Sequence, residues 1–344
     1  MALTERMAFI KEIEKIRGST VITFLTSVRQ NVPGIISDDA VRVFFDHLQL
    51  LPSRPVKKLD IFLCSNGGSG TVPWRLVSLF REFAQSFCVL IPYRAYSAAS
   101  LLALGADEIV MHPFAELGPI DPTVSNEFNP VEQGTGRRLG ISVEDVTAYI
   151  NFIKSTVGIR HEDELIKAVE ILASKVHPLA LGNVERFIAQ SRMIAKKILS
   201  THMGESDGHT ISEIIENMAS KLYFHGHPIN RLEAKKDLRL KVTLDASPEL
   251  ETVIWNLYKD YEIEFDNLSA FNPAGDLAVL AHQQGAPGEV RKEYELTHAV
   301  IESNKLSSKH TTKRWFTMLH NPQVLQPQIR EDIVSQGWIH SGVP

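Results

Sequence analysis

The chain has 344 residues, 36 of them basic and 41 acidic, for a net charge of −5. That length supports one large domain or two smaller ones with a substantial core, and the mildly negative balance argues against a nucleic-acid surface. No apolar run approaches the roughly 20 residues that cross a bilayer, and the stretch up to Arg17 is charged, so the sequence predicts no membrane insertion and no signal peptide, and a cytoplasmic protein.

In chain order, Met1 to Arg17 places Met7, Phe9, Ile10, Ile13 and Ile16 among charges, the pattern of an amphipathic helix. Ser19 to Ser27 reads as the first strand, and Ser37-Asp38-Asp39 opens a helix carrying Val41, Phe44, Phe45, Leu48 and Leu51. Lys58 to Ser65 is apolar on both faces, as a buried parallel strand is, and it stops at Asn66-Gly67-Gly68-Ser69-Gly70. A helix over Thr71 to Phe83 follows, with Pro73 in its first turn. The strand Ser86 to Ile91 then delivers the chain to Ala95-Tyr96-Ser97-Ala98-Ala99-Ser100, which continues into an apolar helix. Asp107 to Met111 is a third short strand, ahead of Glu116-Leu117-Gly118-Pro119-Ile120-Asp121-Pro122. Alternating strands and helices imply a parallel sheet whose site lies at the carboxyl ends of the strands. The Gly67-Gly68 turn and Ser97 both follow strands and fall on that side. Cys64 and Cys88 lie within the strands and read as apolar fillers rather than a disulfide or metal pair.

Thr123 to Leu139 is a polar, irregular loop with Arg137-Arg138. Helices are expected from Ser142 through Lys154, over Asp163 to Lys175 and over Val184 to Met203, then, after a loop at Gly204 to Thr210, over Ile211 to Tyr223 and around Glu233. The composition shifts near Ser247. Leu250 to Tyr261 is the last clear helix, Phe265 to Gly288 is loop-rich, and Glu289 to Met318 forms a hairpin with Lys305 to Lys309 at its tip. The division expected is a core over 1–245 and a C-terminal appendage over 246–344 that packs on the core or makes an oligomer contact.

Adjacent glycines after a strand allow positive φ and expose backbone N–H groups, so Gly67 and Gly68 are either a plain turn or an anion cradle. Neither Gly-x-x-x-x-Gly-Lys-[Ser/Thr] nor Gly-x-Gly-x-x-Gly is present, which argues against a nucleotide. Ser97 is either a helix cap or a nucleophile. His225 and His227 stand two apart on a Pro-flanked loop without ligands at diagnostic spacing, so a hydrogen-bonded packing role is expected, and no metal or cofactor.

The run S-A-A-S-L-L-A-L-G-A-D-E-I-V-M, preceded by S-N-G-G and followed by L-G-P-I-D-P, resembles the serine dehydrogenase proteinase family. These are crotonase-like, Clp-type serine peptidases related to signal peptide peptidase A, and the likeness runs from about Ser19 to Val242. The resemblance implies a crotonase-like α/β fold with a parallel sheet flanked by helices, Ser97 as nucleophile, and Gly67 and Gly68 in the oxyanion hole. It implies a peptide or protein substrate and a homo-oligomer. Where the Clp catalytic subunit has a histidine this chain has Asp121, so a Ser-His-Asp triad is not implied. Relatives take a lysine as base. The surroundings of Lys154 resemble that helix, with Lys175 second, and Asp121 would orient the base or shape the strand end. The rivals are a crotonase-type acyl-coenzyme A enzyme and a degenerate, non-catalytic scaffold.

Overall fold

The structure is a computed structural model that describes residues 3–343, apart from 121, 122, 125, 126, 133, 135, 137, 222–226, 245, 285–288 and 320–327. Helix α1 (Leu3–Arg17) leads into β1 (Thr20–Thr26), α2 (Asp39–Gln49), β2 (Val56–Cys64), α3 (Val72–Phe83), β3 (Ala84–Ile91), the short β4 (Arg94–Ala95), α4 (Ala98–Ala103) and β5 (Glu108–Met111). The short strands β6 (Glu116–Leu117), β7 (Thr123–Val124) and β8 (Ile141–Ser142) come next. An arm follows, built from α5 (Val143–Asn151), a π-helical turn over Phe152–Thr156, α6 (Glu162–Lys175) and α7 (Pro178–Leu199). The chain continues through α8 (Gly208–Glu216), β9 (Ile229–Asn230), α9 (Arg231–Lys236) and β10 (Val242–Thr243). It closes with α10 (Pro248–Glu264), α11 (Pro273–Gln284), β11 (Val290–Glu302), β12 (Leu306–Leu319) and β13 (Gln328–Gly342).

The central sheet has the order β10-β5-β3-β2-β1-β11-β12-β13. From β10 to β1 the strands are parallel, and β11, β12 and β13 add antiparallel. The period of two along each central strand sorts side chains to two cores. Ile22, Phe24, Ile61, Leu63, Val89 and Ile91 meet α2, α3, α4 and α7 on one face. Val21, Leu25, Phe62, Cys64, Leu90 and Val110 meet α1 and α10 on the other. Burial on both faces is why these strands read as continuous apolar runs. Cys64 and Cys88 are free and buried, and burial pushes their thiols up to about 11 and about 12.

Three expectations are corrected. Phe265 to Gly288 holds α11, whose Leu277 packs on Phe271 and Phe316; the Asn272-Pro273 start was a helix signal lost among turn residues. Lys309 is not at a hairpin tip: it lies within β12 opposite Val300 and pairs with Glu264. Helix α8 begins at Gly208, inside the stretch expected to be a loop. The C-terminal segment joins the core sheet directly, β11 pairing with β1 from Thr23↔Glu302 to Thr26↔Ala299, and β13 was not foreseen.

Two buried polar clusters fix this attachment. Arg6 on α1, 2% exposed, pairs with Asp260 at 3.1 Å, Glu264 at 3.3 Å and Glu302 at 2.9 Å, while Tyr261 Oη donates to Glu302 at 2.6 Å. On the other face the buried His47 of α2 bonds Ser303 Oγ at 3.1 Å and Ser308 Oγ at 3.0 Å. Breaking a buried ion cluster leaves charges desolvated and unpaired, so Arg6→Met is expected to cost about 3–5 kcal/mol, read from the urea midpoint. Burial, with His340 close by, pushes His47 down to about 4. Its unfolded value is about 6.5, so the unfolded chain takes up a proton that the folded chain refuses. Stability is therefore retained above pH ~6.5 and falls by roughly 3 kcal/mol toward pH ~4 from this group alone. Urea titrations across that range should show the slope in the native chain and a flatter one in His47→Gln.

Candidate active site

The site forms where β2 and β3 end on the same edge of the sheet. Ser65, just past β2, donates its N–H to Arg94 O at 3.0 Å and accepts from Tyr96 N–H at 3.0 Å. Two backbone hydrogen bonds thus register the Ser97 segment against the glycine turn. The turn is held from its other side by Ile36, whose N–H donates to Gly67 O at 2.8 Å and whose carbonyl accepts from Ser69 N–H at 2.8 Å. Ser65 Oγ, fully buried, accepts from Thr26 Oγ1 at 2.7 Å and from Gly67 N–H at 3.1 Å. Gly67 and Gly68 take φ of 105° and 153°, where a side chain is strained. Space forbids one too: a Cβ on Gly67 would lie 2.8 Å from Tyr96 O and 2.9 Å from Ser97 Cβ, and one on Gly68 2.2 Å from Ile36 O.

Ser97 stands at the junction of β4 and α4 with φ 52° and ψ −114°, a conformation costly for a residue with a Cβ. It is half-buried. The sharp strand-to-helix turn resembles a nucleophile elbow, in which strain presents the hydroxyl to a cleft. The Ser97 carbonyl accepts from Leu101 N–H at 3.0 Å, and Ala99 N–H donates to Tyr96 O at 2.9 Å. Among the described residues, the amides of Gly68 and Ala98 have no hydrogen-bond partner. Ser100 is buried, with Oγ 2.7 Å from the carbonyl oxygens of both Ala95 and Gly118, and so it anchors the turn.

A cavity of about 260 Å³ opens over Ser97. Gly68 to Thr71 form one side, Leu101 and Ile120 the floor, and Phe187, Gln190, Ser191 and Ile194 of α7 the far wall. Ser191 Oγ donates to Ile120 O at 2.7 Å, fixing α7 to the segment after β6. The α7 wall follows a stripe of Val184, Phe187, Ile188, Ser191, Ile194 and Ile198, a periodicity visible in the sequence. Ala98 and Thr26 carried no local signal.

The structure brings Gly67, Gly68 and Ser97 together. Lys154 is not brought to them: it is exposed on the π-helical turn and lines a separate hollow of about 510 Å³ with Ile150, Ile153, Leu165 and Val169. Lys175 is exposed at the end of α6. Asp121, His225 and Arg137 lie outside the described residues. His227 Nε2 meets Glu233 Oε1 at 2.8 Å. Among the described residues no helix is long and apolar enough to cross a membrane, and no group of three or more His, Cys, Asp or Glu is placed to hold a metal ion.

A large central sheet with a parallel core, covered by helices on both faces, carries a Gly-Gly turn and a positive-φ serine at neighbouring strand ends, an α/β architecture. Residues 1–148, which carry Gly67, Gly68 and Ser97, match the family model described as ClpP-like SDH-type serine proteinase. Two uncharacterized proteins of Methanocaldococcus jannaschii are similar to the chain. One is 29% identical over 128 residues, 36% of this chain and 43% of the relative, so the chain spans less than half of that relative's length. The other is 23% identical over 260 residues, 74% of this chain and 78% of the relative. Among solved structures, the 1510-N membrane-bound stomatin-specific protease is 14% identical, covering 68% of this chain and 83% of its own, with a TM-score of 0.39. The ClpP protease catalytic domain from Plasmodium falciparum is 13% identical, covering 72% and 93%, with a TM-score of 0.36.

The glycine geometry makes a direct prediction. Gly68→Ala is expected to lose at least about 2 kcal/mol of stability, from positive φ and the clash with Ile36 O. Gly70→Ala, where open space surrounds the new methyl, should stay within about 0.5 kcal/mol. Urea midpoints of the two variants check the contrast.

Proposed function

We propose that this chain is a serine peptidase with Ser97 as its nucleophile. The observation that carries the reading is the strained Ser97 turn, φ 52° and ψ −114°, at a cavity that the partner-free amide of Gly68 also lines. Ser97 Oγ forms a bond to the carbonyl carbon of a peptide and passes its proton to a base. Negative charge develops on the carbonyl oxygen, where the N–H groups of Gly68 and Ala98 receive it; each such donor is worth on the order of 3 kcal/mol of barrier. Gly67 supplies room and its own N–H holds Ser65. Collapse breaks the C–N bond as the amine takes a proton, and water then hydrolyses the acyl-enzyme.

Lys154 is the base in this reading. From its exposed place on the π-helical turn it reaches Ser97 only if substrate binding closes the arm over the cavity, since catalytic contacts can tighten on binding. Asp121 would orient that base. The substrate is a peptide or protein, and the resemblance to Clp-type peptidases supports a homo-oligomer. One observation favours a second reading, a scaffold without chemistry: none of the described residues lining the Ser97 cavity has a side chain that titrates near neutral pH.

Intact-mass spectrometry after treatment with a fluorophosphonate separates the two. The native chain is expected to gain one adduct and Ser97→Ala none, with Lys154→Ala labelled at least about a hundredfold more slowly if it supplies the base. An unlabelled native chain would leave the scaffold reading standing. Equal rates for the native chain and Lys154→Ala would remove Lys154 from the mechanism while keeping Ser97.

A further inference from the structure

The central sheet has two ends of very different character. At one end β10 is 2 residues long; at the other β13 runs for 15 residues with its outer edge unpaired among the described residues. Edge strands of this length offer a row of free N–H and C=O groups to another strand. Helix α11 packs on β11 and β12 and leaves β13 uncovered, so that Ile333 and Val334 are 58% and 56% exposed. Apolar β-branched side chains at a bare edge mark a pairing surface rather than a solvated one.

We propose that the β13 edge over residues 328–334 is an interface with a second copy of this chain, paired antiparallel about a two-fold axis at Glu331. The choice of partner rests on self-complementary charge. Register with β12 places Ile329, Glu331 and Ile333 on one face, opposite Met318, Phe316 and Arg314, and Arg330 and Asp332 on the other. A two-fold axis at Glu331 sets Arg330 beside the partner's Asp332 and Ile329 beside the partner's Ile333, and each pairing occurs twice. Matched apolar and opposite-charge neighbours are the pairs that stabilise antiparallel strands. The one like pair, Glu331 facing the partner's Glu331, is neutralised because each glutamate is held by its own Arg314 at 2.6 Å.

In a single copy Arg330 and Asp332 bond each other at 2.8 Å and Glu331 is held by Arg314, so no charge of this segment is left unpaired to repel a second chain. The pairing has a natural end. Between Lys313↔Ser335 and Arg314↔Ile333 the register shifts, leaving Val334 as a bulge that stops a regular ladder. The five residues from Ile329 to Ile333 therefore pair with the same five of the second copy, with Gln328 and Val334 at the ends of the ladder. The cavity over Ser97 is not involved, so this interface stands whatever reaction the site performs.

Charge reversal tests the register, with sedimentation velocity and native mass spectrometry on the full chain at micromolar to tens-of-micromolar concentration. The native chain is expected to associate with itself. Arg330→Asp would set aspartate against aspartate and Asp332→Arg arginine against arginine, so each alone should weaken self-association about tenfold or more. Mixing the two single variants should restore a mixed dimer, since opposite charges then meet at both positions. The double reversal should restore the homodimer, an outcome that loss of folding cannot imitate. A native chain that stays monomeric overturns the proposal. So does an oligomer that neither reversal weakens, which would place assembly on another surface, or single variants that fail to recombine.

Discussion

Ser65 is the residue on which the geometry of the site depends. Its main chain donates one hydrogen bond to the segment that ends in Ser97 and accepts one from it, and its buried hydroxyl accepts one from Thr26 and one from Gly67. Three strands and the glycine turn are thereby referred to a single point. The positive φ of Ser97 costs on the order of 1–3 kcal/mol, and such strain persists only where the surroundings over-determine it. Here the Ser65 ladder fixes the approach from β4, and Ser100, bonded to Ala95 and Gly118, fixes the exit into α4. The missing side chains at Gly67 and Gly68 then matter as much as any that are present. With Tyr96 O, Ser97 Cβ and Ile36 O where a methyl would stand, only glycine lets the two strand ends approach this closely.

That frame can be rigid because the sheet beneath it is sealed on both faces. The α2, α3, α4 and α7 face is mostly apolar, with His47 hydrogen-bonded to Ser303 and Ser308, while the α1 and α10 face adds an ionic staple at Arg6, Asp260, Glu264 and Glu302. Buried ion clusters contribute little net stability, but they penalise wrong arrangements, because a misplaced helix would leave several charges without partners. Arg6 thus sets the position of α1 and α10 against β11 more than it strengthens the fold. Among the described residues, the arm of α5, the π-helical turn and α6 has no such buried ion cluster. Its apolar residues Ile166, Val169 and Ile171 remain more exposed than anything in the two main cores.

What was legible in the sequence follows from how local each signal is. The strands Lys58 to Ser65 and Ser86 to Ile91 are apolar because both faces are covered, and the Gly-Gly turn and Ser97 advertise themselves by composition within a few residues. The alternation of strand and helix then places them at one edge. Thr26 was invisible as a site residue because its role is a bond to a residue 39 positions away. Ala98 acts through a backbone amide, which any residue would supply. Helix α11 was masked by asparagine and proline at its start, and β13 by its position at the edge, where half-exposed strands lose the apolar alternation that identifies them. The place of Lys154 depends on how a helical arm folds back, which no spacing within that arm encodes.

The C-terminal strands solve one edge problem by creating another. Without β11, the unpaired edge of the sheet would be β1, the strand whose Thr26 supports Ser65, and a stray strand pairing there would distort the turn beside Ser97. Antiparallel pairing of β11 with β1 closes that edge, and the buried Glu302 ties the closure to Arg6, Tyr261 and Ser307. Each further strand moves the open edge outward, so that at β13 it lies three strands away from β1. An exposed, charge-balanced edge can then accept a partner strand without transmitting strain to the serine turn. The same extension that closes the β1 edge therefore leaves the open edge of the sheet three strands away from the serine turn.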